Sequence, residues 1–114
     1  MLEFESNDED AFPHSDITRA IIGAAFEVHN QLGYGYLHRI YQNALQVELI
    51  QSNRVVELEK RINVYYKGAM IGYYDADAVV ENCVLVEIKI APQYDKCDEA
   101  ELSNVLKATG LKVG

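Results

Sequence analysis

Two spacings of apolar residues divide this chain. From Ile17 onward, apolar side chains recur at Ile17, Ala20, Ile21, Ala24, Ala25, Val28 and Leu32, the spacing of one helical face. Ser15 or Asp16 stands where an N-cap is needed, and Gly33 supplies a stop. Tyr34-Gly35-Tyr36 forms a short connection. A second helix is predicted over His38 to Gln51, with Ile40, Tyr41, Ala44, Leu45, Val47 and Leu49 inward and Gln42, Gln46 and Gln51 outward. From Val55 the period becomes two. A first strand runs from Val56 through Tyr66, with a break expected near Lys60, and Lys67-Gly68 turns the chain. The second strand is Ala69 to Val80, Glu81-Asn82 turns again, and the third strand is Cys83 to Ile90. Pro92 prevents simple continuation. A third helix is predicted from Lys96 to Thr109, with Ala100, Leu102, Val105 and Leu106 apolar and Gly110 at its end. Leu111-Lys112-Val113 starts another strand.

The third strand is apolar enough to be central in its sheet and covered on both faces. It nevertheless carries Glu87 and Lys89, two residues apart and so on one face. Buried charges are costly unless paired. Asp77, on the second strand, shares their face only if paired positions sum to an even number, as when Val80 faces Val84. That register requires a three-residue turn, Glu81-Asn82-Cys83, or a bulge. A two-residue Glu81-Asn82 turn would set Asp77 opposite Val86 and put Glu87 on the other face, because a one-residue slip reverses every side chain. In the first register, two carboxylates and a lysine form a site for a hard cation with a cationic helper, a chemistry suited to phosphodiester hydrolysis.

Composition narrows the setting. At 114 residues and 49% hydrophobic, the chain is expected to form one domain with a modest core. No apolar run approaches the ~20 residues of a membrane span, and the acidic N-terminus is neither a signal nor a transit peptide. Cys83 and Cys97 lack metal-ligand or redox spacing, so a reduced, cytoplasmic protein is expected. A net charge of −8 is a poor match to a nucleic-acid binder. However, residues 1–16 hold six acids and no base, leaving 12 acids against 10 bases elsewhere. Residues 1–14 are expected to be a disordered acidic tail and 15–114 the folded domain.

Helix–helix–strand–strand–strand–helix order, with Asp77 on the second strand and Glu87-Ile88-Lys89 on the third, resembles the PD-(D/E)XK nuclease superfamily. The stretches Ile21 to Gly33, Val64-Tyr65-Tyr66-Lys67-Gly68 and Leu106 to Leu111 resemble its GxxExxY proteins more closely still. The resemblance implies an α/β, restriction-endonuclease-like core with a small mixed sheet flanked by helices. It also implies a metal-dependent nuclease acting on nucleic acid, DNA rather than RNA. Asp77, Glu87 and the carbonyl of Ile88 would hold Mg2+ or Mn2+, and Lys89 would orient water or stabilise the anionic transition state.

This chain departs from the family at several positions. His38 stands where the signature, on Gly35 to Tyr41, has its glutamate. It would either ligate a metal through its imidazole, favouring Mn2+ or Zn2+, or simply lose a carboxylate's contribution. Glu101 stands where the family has a glutamine on the third helix; it could supply a catalytic carboxylate, add repulsion, or be a solvated surface acid. Asp75 replaces a basic or polar residue, and the C-terminal strand is expected to be cut short. An alternative function is therefore an inactive relative retained as a nucleic-acid or protein interaction module. No membrane partner is expected; a homodimer through an open sheet edge is. Glu27 and His29 on the first helix, and the tyrosines at 65, 66, 73 and 74, are read as surface and packing residues respectively. Lys60, Arg61 and Lys67 are the best available phosphate contacts.

Overall fold

The computed structural model describes residues 14–90, 96–109, 111, 113 and 114. The acidic tail, Pro92, Gly110 and the side chain of Val105 lie outside the described residues. The order is α1 (Ser15–Leu32), α2 (His38–Gln51), β1 (Val56–Tyr66), β2 (Ala69–Val80), β3 (Val84–Val86) and α3 (Lys96–Thr109). This is the helix-then-sheet α/β order expected from the sequence. The strands form an antiparallel sheet in the order β1-β2-β3.

α1 buries Ile17, Ile21, Ala24 and Val28, the apolar stripe read from the sequence. Its start differs from expectation. His14, in the left-handed region, is the N-cap, and no side chain caps the helix. Ser15 and Asp16 are already helical; Asp16 instead complements the helix dipole and lies 3.8 Å from Arg54. Gly33, at φ 67°, ends the helix with its N–H donating to the His29 carbonyl. The loop into α2 is tied by Tyr41, whose hydroxyl donates to the Gly33 carbonyl and accepts from Tyr36 N–H at 3.4 Å.

α2 has the expected bounds and a different buried face. Ile40 and Val47 are exposed, whereas Gln42 is buried with Leu45 and Leu49. These three positions form a helical stripe, and Gln42 fits there because its amide nitrogen donates two hydrogen bonds.

The hairpins decide the register. Lys67 and Gly68, both at positive φ, join Tyr66 to its partner Ala69. Val80 pairs with Val84, so the second turn contains Glu81, Asn82 and Cys83. Glu81 and Asn82 both take positive φ, and Cys83 N–H donates to the Val80 carbonyl at 3.0 Å. For Glu81 this backbone is unfavourable. Two bonds to Val55 hold it, Glu81 N–H to the Val55 carbonyl at 2.8 Å and Val55 N–H to Glu81 Oε1 at 3.1 Å.

β3 is shorter than predicted and lies at one side of the three-stranded order, not in its centre. Its ladder stops at Val86, and residues 87–90 leave the sheet. It is still covered on both faces. Val84 and Val86 join α1 and α2 residues around Ile21 and Leu49, while Leu85 packs with Val79, Ala76 and Leu106 of α3. Beside it, Val113 makes a parallel bridge to Val84, with Leu85 N–H donating to the Val113 carbonyl at 3.1 Å. Among the described residues the sheet itself is antiparallel rather than the mixed sheet expected, and this single bridge is its one parallel contact.

Candidate active site

The even-sum register sets Asp77 across from Glu87, one step beyond the last ladder pair, Ala78–Val86. Asp77 sits where β2 changes the company it keeps. Ala78 and Val80 belong to the α1/α2 cluster, but Ala76 belongs to the α3 cluster. Strict alternation would keep Ala76 with Ala78. Opposite, Glu59 takes φ 53°, and Glu59–Asp77 is missing from an otherwise even ladder between Leu58–Ala78 and Lys60–Ala76. This irregularity is the break expected near Lys60, one residue earlier.

The two carboxylates consequently meet different partners. Asp77 Oδ2 accepts from Ile88 N–H at 2.8 Å and from His38 Nε2 at 3.1 Å. His38 Nε2 also lies 3.0 Å from the Ile88 carbonyl. Both neighbours accept, so Nε2 carries the hydrogen and shares it between them. Glu87 Oε1 faces Asp77 N–H at 3.4 Å, and its carboxylate is bonded by Tyr74. Burial raises Glu87 to about 7; the Tyr74 hydrogen bond opposes this, and the Asp77 charge adds to it. Burial likewise pushes the Tyr74 phenol up, reinforced by the Glu87 carboxylate.

Lys89 does not pair with Glu87. Its Nζ lies 3.5 Å from Glu101 Oε2, a contact near half exposure on both sides. Glu101 is thereby drawn from α3 toward the end of the sheet. Glu27 and His29 are exposed on α1, where Glu27 accepts from Gln31 and His29 packs edge-on against Tyr34.

Three residues of this region were not read as site residues in the sequence, where Gln42 was placed outward and Tyr74 was read as packing. Gln42 Nε2 donates to the Asp77 carbonyl at 2.8 Å and to Glu59 Oε1 at 2.9 Å, bridging the irregular point. Its place on the Leu45–Leu49 stripe was a readable signal. Tyr74 and Glu59 carried none beyond strand alternation.

A cation would suit this donor set. Asp77 Oδ2 and the Ile88 carbonyl are hard oxygens aimed at one point, and the Glu87 carboxyl lies half-buried beside them. Few oxygen ligands suit Mg2+ or Mn2+, which retain water. Among the described residues, no three His, Cys, Asp or Glu side chains already form a cage. The imidazole N–H stands between the two oxygens that a cation would take.

Comparison with known proteins gives one family. The model of the PD-(D/E)XK nuclease superfamily matches residues 15–114. No curated protein and no solved structure matches significantly.

Proposed function

Because the chain belongs to the PD-(D/E)XK nuclease superfamily, we propose that its Asp77–Glu87–Lys89 region hydrolyses nucleic-acid phosphodiesters with Mg2+ or Mn2+. The observation that carries this reading is the convergence of Asp77 Oδ2 and the Ile88 carbonyl on one point, 3.1 and 3.0 Å from His38 Nε2. A cation there would polarise the phosphate and acidify water. Asp77, Glu87 and the Ile88 carbonyl would hold it. Lys89, released from Glu101, would place its ammonium against the phosphate oxygens as charge builds on them. Tyr74 and Gln42 would act by position, Tyr74 on the Glu87 carboxylate and Gln42 on the Asp77 backbone.

Within the superfamily, the segment from Gly35 to Tyr41 supports a place among the GxxExxY proteins, with His38 in place of the glutamate. Tyr41 fits such a role structurally, since its hydroxyl ties the loop that delivers His38. DNA as the substrate and a cytoplasmic setting are parts of the same proposal. Cys83 and Cys97 as thiols accord with a reducing compartment.

A specific observation favours a second reading, an inactive relative kept as an interaction module. His38 already satisfies both oxygens, and Glu101 already engages Lys89. Cleavage of single- and double-stranded DNA and RNA with Mg2+ or Mn2+, beside Asp77→Ala and Lys89→Ala, separates the two. Metal-dependent cleavage lost in both variants supports the nuclease; binding without cleavage, unchanged in both, supports the module.

A further inference from the structure

Beyond Asp77, the β1–β2 hairpin has a composition unlike the rest of the chain. Residues 60–74 hold Lys60, Arg61 and Lys67 and no acid, in a chain of net charge −8. The same stretch holds four tyrosines. Packing accounts for Tyr74, which lies in the α3 cluster. It does not account for Tyr65, Tyr66 and Tyr73, which are 62%, 60% and 58% exposed. The expectation that the strand tyrosines are packing residues therefore holds for Tyr74 and fails for these three.

One face of the hairpin gathers the relevant groups. Arg61 pairs across to Asp75 and Asn63 to Tyr73; at the shift between Val64 and Tyr65 the unpaired residue is Ile71 of β2, so alternation along β1 adds Tyr65 to their face. All are exposed, whereas Ile62, Val64 and Tyr74 on the opposite face are half-buried. The Arg61 guanidinium lies 3.8 Å over the Tyr73 ring, while its Nε donates to Asp75 Oδ1 at 3.1 Å. Tyr73 and Asp75 alternate along β2, and Asp77, where the strand rotates, follows about 13 Å beyond Tyr73 at the rise of a strand.

We infer that this face binds single-stranded nucleic acid, with bases stacked on Tyr65 and Tyr73 and phosphate beside Arg61, and leads it toward Asp77. Exposed rings interleaved with cations suit unpaired bases of any sequence. A duplex hides its base faces and cannot use the rings. A second copy would set the same cations against one another in a two-fold pairing of this face. The polymer's identity rests on the nuclease reading, but the binding is measurable without metal or cleavage.

The test is fluorescence anisotropy in EDTA with a short labelled oligothymidylate and a duplex of equal length. The wild type should prefer the single strand. Tyr65→Ala with Tyr73→Ala should lose roughly tenfold or more per tyrosine, and the corresponding phenylalanine pair should keep its affinity, because stacking needs the ring and not the hydroxyl. Arg61→Gln should reduce the salt slope by about one. An unchanged thermal midpoint checks that each variant is folded. Absence of binding, equal binding to the duplex, or unchanged affinity in the alanine pair overturns the inference. So does a wild-type dimer, seen by sedimentation, that the alanine pair dissociates. Binding through the tyrosines by a protein that cleaves nothing keeps this inference and removes the nuclease reading; cleavage indifferent to the tyrosines does the reverse.

Discussion

Gln42 gives its amide hydrogens to the Asp77 carbonyl and Glu59 Oε1 from a buried position on α2. Gln42→Leu preserves much of the volume but leaves the carbonyl unpaired in the interior, so a loss of about 1–3 kcal/mol is expected in urea unfolding. Glu87 makes a second prediction. Its folded value, about 7, stands above its ordinary 4.5, so the native state holds the proton more tightly than the unfolded chain does. Its contribution is fully present below pH ~4.5 and is lost as pH rises through ~7. Glu87→Gln should therefore match the wild type near pH 4 and exceed its thermal midpoint above pH 7. A gap of the same size at both pH values would show that Glu87 does not titrate in this window.

Among the elements, turns and helices were more legible than strand ends. Lys67-Gly68 announces a tight turn by composition, and the structure uses both residues at positive φ. Gly68→Val places a β-branched side chain there and should cost about 1–2 kcal/mol in chemical denaturation. The Val80–Val84 register was deducible as one of two possibilities, because strand parity links turn length to the face of Glu87. The end of β3 was not. An apolar run specifies burial, and Val84, Leu85 and Val86 are buried as expected. It does not specify how long a partner stays alongside, and the ladder stops as residues 87–90 turn away to meet Asp77 and His38.

For the whole molecule, α1 and α2 cover one sheet face and α3 the other, so the His38–Asp77–Ile88 contacts and the Lys89–Glu101 pair form only when all layers assemble. A cation bound by this arrangement stabilises the folded state by mass action, about 2.7 kcal/mol at a concentration a hundredfold above Kd. Mn2+ should therefore raise the thermal midpoint over EDTA, and Asp77→Asn should abolish the rise. His38→Glu should give a larger rise with Mg2+, since it replaces an N–H donor with an oxygen ligand. An identical midpoint with and without Mn2+ in the wild type would remove the metal site from the reading.

The sequence by itself determined the element order, the apolar stripe of α1, the Lys67-Gly68 turn and the candidacy of Asp77, Glu87 and Lys89. Periodicity, turn composition and i,i+2 spacing are local, and local rules suffice for them. Only the tertiary structure decided that His38 stands between Asp77 and the Ile88 carbonyl, partners 39 and 50 residues away. It alone paired Lys89 with Glu101 and turned Gln42 inward beneath Asp77. Those outcomes depend on how α2 and α3 dock against a strand that rotates at Asp77. No spacing within one segment records that rotation, because the positive φ at Glu59 and the hydrogen bonds around it arise between segments.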